Sequence, residues 1–474
     1  MKERVVLYPA VGMGHLVPMV ELAKLFLRDG MAVTVLVINT PFKQGSDDSF
    51  IAAAASAHPS LSFHHLPPVS LPPNPPTDPV VLMFDMLRQA TTHLRPVLTS
   101  LSETSAVRAL VVDFFCTEAL DVAAEVGLPS YIFFSTGASN LAAFLYLPLL
   151  HSATPGNIKD LGNAPINFPG LWPIPASDLP AQLQDRNEES YKRLLFHFER
   201  LPRFDGILIN TFESLEPRAV TALRDGVCLP GRPMPPTYCI GPLIAERKPS
   251  EKHECIKWLD SQPKASVVFL CFGSMGSFAA EQLNEMATGL ERSGHRFLWV
   301  VRAPRNGDQA AKFPGPRLEP DLEAILPVGF LERTKDRGLV VKSWAPQVEV
   351  LAYEAVGAFL THCGWNSTLE GVCAGVPLIG WPLYAEQRMN KVTLVQDIGL
   401  AVAVEGYDKE LVRAEEVEAK VRWVMESEGG SELRKRAAAM AEKAKEAWKD
   451  GGSSEAAWVE LAKVIKDGGS EVRG

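Results

Sequence analysis

Two stretches of the chain share one pattern of apolar and polar positions. Residues 4–38, RVVLYPAVGMGHLVPMVELAKLFLRDGMAVTVLVI, run as a short apolar block, a glycine-containing turn, a segment with apolar residues at helical spacing, a DG stop and a second apolar block. Residues 266–301, SVVFLCFGSMGSFAAEQLNEMATGLERSGHRFLWVV, repeat the scheme with SG as the stop. Continuous apolar runs of this length read as strands buried on both faces, as in parallel sheets. Each stretch therefore predicts a strand–helix–strand unit. Further apolar runs follow both: RALVVDFF and YIFFS in the first half, LVVKSWAP and GAFLTHCG in the second. The pattern predicts an α/β protein with two doubly wound domains.

The polarity of the chain changes near residues 239–255, CIGPLIAERKPSEKHEC, which sets expected domains of 1–245 and 246–452. The Pro-rich segments 67–79 and 304–320 read as surface loops. Residues 453–469, SSEAAWVELAKVIKDGG, have apolar positions at helical spacing behind a Ser cap, and a helix of that kind needs a surface to pack on.

Composition narrows the classes. The formal net charge is −9 and no long basic run occurs, which argues against a nucleic-acid partner. Seven Cys, with no C-x-x-C pair, point to buried thiols in a reducing compartment rather than a disulfide scaffold. No apolar stretch reaches the roughly 18 residues of a membrane span, and the N-terminal apolar block is broken by Pro and Gly. The expectation is a cytoplasmic protein without an anchor.

The glycine turns GMGHLV and GSMGSF raise a nicotinamide-dependent oxidoreductase as one reading. Neither is G-x-G-x-x-G, and the strands that should end in a ribose-binding acid end instead in LVIN and VVR. Residues 361–370, THCGWNSTLE, carry a different signal. They follow the apolar strand GAFLT, so His362, Cys363 and Gly364 fall at its carboxyl end, the edge where open α/β sheets bind ligands. Gly364 permits a sharp turn or close approach, and Asn366 and Ser367 are helix-starting residues. A helix N-terminus there suits a phosphate, with Glu370 one turn along for ribose hydroxyls. From these ten residues alone, a nucleotide diphosphate site and an ordinary capped helix with Trp365 as core filler both stand.

Residues 344–387, WAPQVEVLAYEAVGAFLTHCGWNSTLEGVCAGVPLIGWPLYAEQ, resemble the signature of plant UDP-sugar-dependent glycosyltransferases almost position for position. GHLVP near the N-terminus and CFGS at 271–274 stand where that family has them, so the resemblance spans nearly the whole chain. It implies the GT-B fold: two facing Rossmann-like domains, acceptor bound mainly by the first and sugar nucleotide mainly by the second, with a C-terminal helix and tail at 453–474 returning to the N-terminal domain. Trp344 would stack on uracil, with Ala345 and Gln347 near uracil and ribose and Glu370 on the ribose hydroxyls. Ser274, His362, Asn366 and Ser367 would bind the diphosphate beside Gly364. Trp365, Tyr384, Glu386 and Gln387 would line the sugar. Glu386 stands where Asp is frequent, which keeps the carboxylate, and Tyr353–Glu354 replace a frequent His-containing pair outside the ligand positions.

The resemblance implies UDP-glucose as co-substrate, no cofactor, a monomer, and a small aromatic acceptor such as a flavonoid or isoflavone, with terpenoids, hormones and xenobiotic phenols as alternatives. Gln387 is the residue most glucose users carry, and its amide offers both a donor and an acceptor to equatorial hydroxyls. No D-x-D pair exists to hold a divalent ion, so metal independence is expected. Taken alone, His15 reads as a turn residue; its place in GHLVP makes it the general base for a phenol, with Asp113 at the end of ALVV fixing its tautomer. A noncatalytic sugar-nucleotide binder could dispense with both. Phe84, Phe114, Phe144, Leu147, Phe196 and Phe198 are candidate acceptor walls.

Overall fold

The apolar blocks form strands that all run one way in each sheet. The computed structural model describes residues 2–42, 45–246, 253–304 and 319–468. The loop expected at 304–320 lies almost wholly outside them, as does the middle of the expected boundary segment. The chain divides into two units: Met1–Leu243 together with Ala447–Gly474, and the described residues between them.

In the first unit, β1 (Glu3–Tyr8), β2 (Ala32–Val37), β3 (Leu61–His65), β4 (Ala106–Asp113) and β5 (Ser130–Phe134) are followed by a small hairpin of β6 (Pro165–Ile166) and β7 (Ile174–Pro175). β8 (Gly206–Ile209) and β9 (Thr237–Cys239) complete a parallel sheet in the order β3-β2-β1-β4-β5-β8-β9. β1 pairs with β2 on one side and β4 on the other, so the strand order reverses between β1 and β4. The second unit repeats the plan. β10 (Val267–Cys271), β11 (Arg296–Val301), β12 (Gly338–Lys342), β13 (Val356–Thr361), β14 (Leu378–Gly380) and β15 (Ala401–Ala403) stand in the order β12-β11-β10-β13-β14-β15, reversing between β10 and β13.

Both sheets have helices over their faces, and the strands are buried on both sides. Val5, Leu7, Val33, Val35, Val111 and Phe133 lie in one core of the first unit. Val268, Leu270, Phe297 and Trp299 share one core of the second, while Val267, Phe269, Leu298 and Phe359 share the other. That two-sided burial is why the strands read as unbroken apolar runs rather than alternating ones. All seven cysteines are free and six are buried. Among the described residues no helix is long and apolar enough to cross a membrane.

The C-terminal helix, Ser453–Lys466, packs on the first unit, as expected. Trp458, Leu461, Ala462 and Ile465 are buried in the same core as β1 and β2. The Trp458 ring meets Phe26 edge-on at 4.8 Å, and its Nε1 donates to Asp29 Oδ2 at 3.0 Å. The expected Ser cap is corrected: Gly452 is the cap residue and no side chain caps the helix. Ser454 instead donates from Oγ to the Gly241 carbonyl at 2.5 Å, tying the helix to the segment that leaves β9.

Trp458→Ala should therefore destabilise the first unit by about 3–5 kcal/mol, the usual loss for a buried large aromatic. Val459→Ser, on the exposed side of the same helix, should stay within about 0.5 kcal/mol. Denaturant melts followed by near-UV circular dichroism check the contrast.

Candidate active site

Both strand-order reversals carry polar clusters at the carboxyl ends of their strands, the crevice where doubly wound sheets bind ligands. In the first unit the loops after β1 and β4 meet. Gly12 takes φ 107°, a conformation that only glycine adopts readily, and starts the helix Met13–Arg28. His15 falls in its first turn. Asp113, the last residue of β4, is fully buried and accepts from His15 Nδ1 at 2.8 Å, while His15 keeps 22 % of its side chain exposed. The other Asp113 oxygen accepts from the Phe115 N–H at 3.0 Å. A carboxylate only accepts, so the shared proton sits on Nδ1 and Nε2 is the basic atom. The paired residues named from sequence thus form one His–Asp dyad.

Aromatic rings surround the dyad. Phe115 is partly exposed with its centroid 5.4 Å from the His15 ring, and Phe114 lies at 6.0 Å. Phe115 was not among the expected walls. Of those that were, Phe84, Leu147 and Phe198 are core residues with 2 % exposure or less. Phe114 and Phe144 retain a little exposed surface, and Phe196 is 41 % exposed. Phe84 stacks on His197 at 4.2 Å and Phe144 on Phe198 at 4.4 Å, which makes them a second layer. Thr117 Oγ1 lies 2.6 Å from His197 Nδ1, and burial, helped by Arg200 and Arg193, pushes His197 down to about 3. Buried and uncharged, it is not a competing base.

In the second unit the loops after β10 and β13 hold the 361–370 stretch. The His362 ring is buried against two glycines. A Cβ on Gly273 would stand 2.5 Å from His362 Nε2, and one on Gly364 would stand 2.4 Å away, so neither position admits a side chain without moving the ring. Burial, and secondarily the Arg302 guanidinium, push His362 down to about 4. At neutral pH it therefore serves as an uncharged hydrogen-bonding group. Gly364 is the cap residue of the helix Trp365–Ala374, and no side chain caps it. Asn366 and Ser367, expected as helix-starting residues, lie in its first turn, and neither caps it. Trp365 is nearly buried, so its ring is core on most sides, as the plainer reading had it.

Trp344, by contrast, is 60 % exposed, a ring presented to solvent with His253 edge-on at 5.6 Å. Ala345 beside it is buried. Gln347 Nε2 donates to Ser367 Oγ at 2.9 Å and to Glu370 Oε2 at 2.5 Å. Burial pushes Glu370 up to about 7 against the pull of that hydrogen bond. Ser274, in the loop after β10, is exposed and its carbonyl accepts from Arg302 Nη1 at 2.7 Å. Tyr384 lies 6.2 Å from the His362 ring. Gln387 is buried, and its Oε1 accepts from the Leu383 and Tyr384 N–H groups at 2.9 and 3.0 Å. The expectation that its amide offers both an acceptor and a donor to a sugar is corrected: the acceptor braces its own loop, and only the NH₂ remains for a ligand.

Four described non-glycine residues have left-handed φ, and three lie against these side chains: Ser343 before Trp344, Cys363 between His362 and Gly364, and Ala385 before Glu386. Each such residue costs roughly 1–3 kcal/mol and persists only where its surroundings enforce it. For Cys363 the enforcer is Asn390, a buried residue that sequence reasoning missed; its Nδ2 donates to the Cys363 carbonyl at 2.9 Å and reaches Glu386 Oε1 at 3.4 Å. Arg302, the last residue of the VVR run, is likewise absent from the expected site residues. Among the described residues no group of three or more His, Cys, Asp or Glu side chains is placed to hold a metal ion.

Residues 211–432 match the family model described as "UDP-glucoronosyl and UDP-glucosyl transferase". The chain is 48% identical to a UDP-glycosyltransferase, 88F3, of Pyrus communis over 96% of its length and 98% of the relative's. It is 46% identical to a phloretin 2'-O-glucosyltransferase of the same species, again over 96% and 98%. The solved structure of Phytolacca americana UGT2 complexed with UDP-2fluoro-glucose and pterostilbene superposes with a TM-score of 0.88 at 37% identity, covering 98% of this chain and 100% of that one.

The position of Glu370 generates a pH test. On the expectation that Glu370 holds the ribose hydroxyls, a carboxylate accepts both donors and its protonated form does not, so UDP-glucose affinity should rise from pH 6 to pH 8, by at most about tenfold per unit below 7. Glu370→Gln should flatten the slope in calorimetric titrations. The ligand-free unit responds in the opposite sense. A raised carboxyl pKa contributes stability that is full below about 4.5 and is lost as pH rises through about 7.

Proposed function

Because the chain belongs to the UDP-glycosyltransferase family, we propose that it moves glucose from UDP-glucose to a hydroxyl of a small aromatic acceptor of flavonoid or isoflavone type, giving a β-O-glucoside by single displacement with inversion. The His15–Asp113 pair carries this reading. A phenol is a poor nucleophile while protonated, and a histidine held in one tautomer by a buried carboxylate is suited to take its proton. The acceptor oxygen then attacks the anomeric carbon, and the bond to the β-phosphate breaks with its electron pair leaving on UDP. The first unit would bind the acceptor and the second the donor. Trp344 would stack on uracil, Glu370 would accept from ribose, and Ser274, His362, Asn366 and Ser367 would hold the diphosphate. The sugar would face Trp365, Tyr384, Glu386 and the Gln387 amide nitrogen.

The flavonoid class is supported by Phe114 and Phe115 beside the base and by the phloretin-glucosylating relative. We further propose that the enzyme works as a cytoplasmic monomer, which its seven unpaired thiols suit, and that it needs no metal. Incubation with UDP-glucose and a panel of phenolics, with product masses read out, tests the whole reading; added chelator should leave turnover unchanged. Activity that vanishes with chelator and returns with magnesium would overturn metal independence.

His15→Ala should leave UDP-glucose binding intact while lowering turnover by about 10²–10⁴-fold, the span of a lost general base. Asp113→Ala should cost less, since it only orients and stabilises the ring. Full activity in the His15 variant would sink the mechanism.

UDP-glucose should exceed UDP-galactose by at least about tenfold in kcat/KM, since an axial hydroxyl leaves one buried polar group unpaired. Gln387→Glu keeps an oxygen for the Leu383 and Tyr384 N–H groups and removes the amide donor. It should narrow that ratio; an unchanged ratio would mean that Gln387 only braces the loop.

A further inference from the structure

The leaving group of the proposed reaction gains negative charge, and the groups named so far supply little fixed positive charge to meet it. His362 is uncharged at neutral pH, and a helix N-terminus contributes roughly half an elementary charge. The cations on the segment after Gln387 are engaged elsewhere: Arg388 lies 5.5 Å and Lys391 4.8 Å from the centre of the Tyr407 ring.

Arg302 stands at the sheet edge itself. It follows β11, whose parallel pairing with β10, Leu270 opposite Trp299, carries it to the level of the loop that holds Ser274. β13, on the other side of β10, delivers His362 to the same edge. The guanidinium donates from Nη1 to the Ser274 carbonyl at 2.7 Å, and its charge is felt at both His362 and the buried Cys271. Three adjacent strand ends thus bring one permanent cation, one neutral imidazole and one exposed serine together.

We propose that Arg302 is the cation of the donor site, which holds the diphosphate of the sugar nucleotide and stabilises the UDP leaving group. The inference rests on the diphosphate reading of Ser274 and His362 given above. Charge balance is kept. As the anomeric carbon–oxygen bond breaks, its electron pair stays on the β-phosphate oxygen facing the guanidinium, and the acceptor's proton goes to His15. Arginine suits the place because its planar fork carries five N–H donors, one of them on the Ser274 carbonyl, in a geometry that matches phosphate oxygens.

The experiment compares UDP with uridine, which lacks the phosphates, by competition binding to the full chain. Arg302→Gln should weaken UDP by about 10–100-fold, the loss expected for charge-assisted hydrogen bonds, and lower kcat with UDP-glucose by at least as much. Uridine should be unaffected, and Arg302→Lys should recover most of the loss. In the wild type, UDP affinity should fall between 0.05 and 0.5 M salt while uridine affinity does not; this holds the proposal to account even if a variant fails to fold. Equal UDP affinity in wild type and Arg302→Gln, or equal weakening of UDP and uridine, would reduce Arg302 to a loop brace and overturn the proposal. If the wild type binds no UDP at all, the donor-site reading fails instead.

Discussion

Everything about the two sites depends on strand direction. A sheet whose strands are all parallel delivers every carboxyl end to one edge, and where the strand order reverses, the loops after two neighbouring strands diverge and leave a crevice. In the first unit that reversal places the turn after β1 beside the end of β4, which is how residues as remote in sequence as His15 and Asp113 come to share a proton. In the second it places the loop after β10 beside the end of β13, so that Gly273 and Gly364 both close on one imidazole. The chemistry differs between the units, but the device is the same.

The second site is also held under strain. Left-handed backbone at Ser343, Cys363 and Ala385 is unfavourable in isolation, and each of these residues stands next to a side chain assigned to the donor. Buried amides hold the conformation: Asn390 on the Cys363 carbonyl and Gln387 on the Leu383 and Tyr384 N–H groups. Polar groups that would seem free to meet a ligand are thus partly committed to shaping the loops that meet it. Substituting them tests loop geometry as much as ligand contact, which is why a charge- or shape-preserving variant says more than alanine.

Much of this was legible beforehand, for a physical reason. Strands buried on both faces must be apolar throughout, so both strand–helix–strand openings stood out, and the 44 residues from Trp344 to Gln387 carry an unusual combination of side chains within one local segment. What escaped was set by contacts between distant segments. Nothing local marks Phe115, rather than Phe84, as the ring left open beside His15, because burial of Phe84 depends on His197 more than a hundred residues away. Ser453 looked like a cap, yet a glycine precedes it and the neighbouring Ser454 is spent on the backbone of residue 241. Arg302 reads as the end of a strand; only the pairing of β11 with β10 puts it beside another loop.

The return of the helix Ser453–Lys466 to the first unit bears on how the protein is made. A ribosome delivers β1 early and Trp458 late, after the whole of the second unit has emerged. The core around Phe26 and Met31 lacks one wall until then, so the unit translated first is completed last. Nascent chains ordinarily fold domain by domain from the N-terminus. Here the middle of the polypeptide can finish folding while its opening segment still exposes the apolar surface that Trp458, Leu461 and Ile465 later cover.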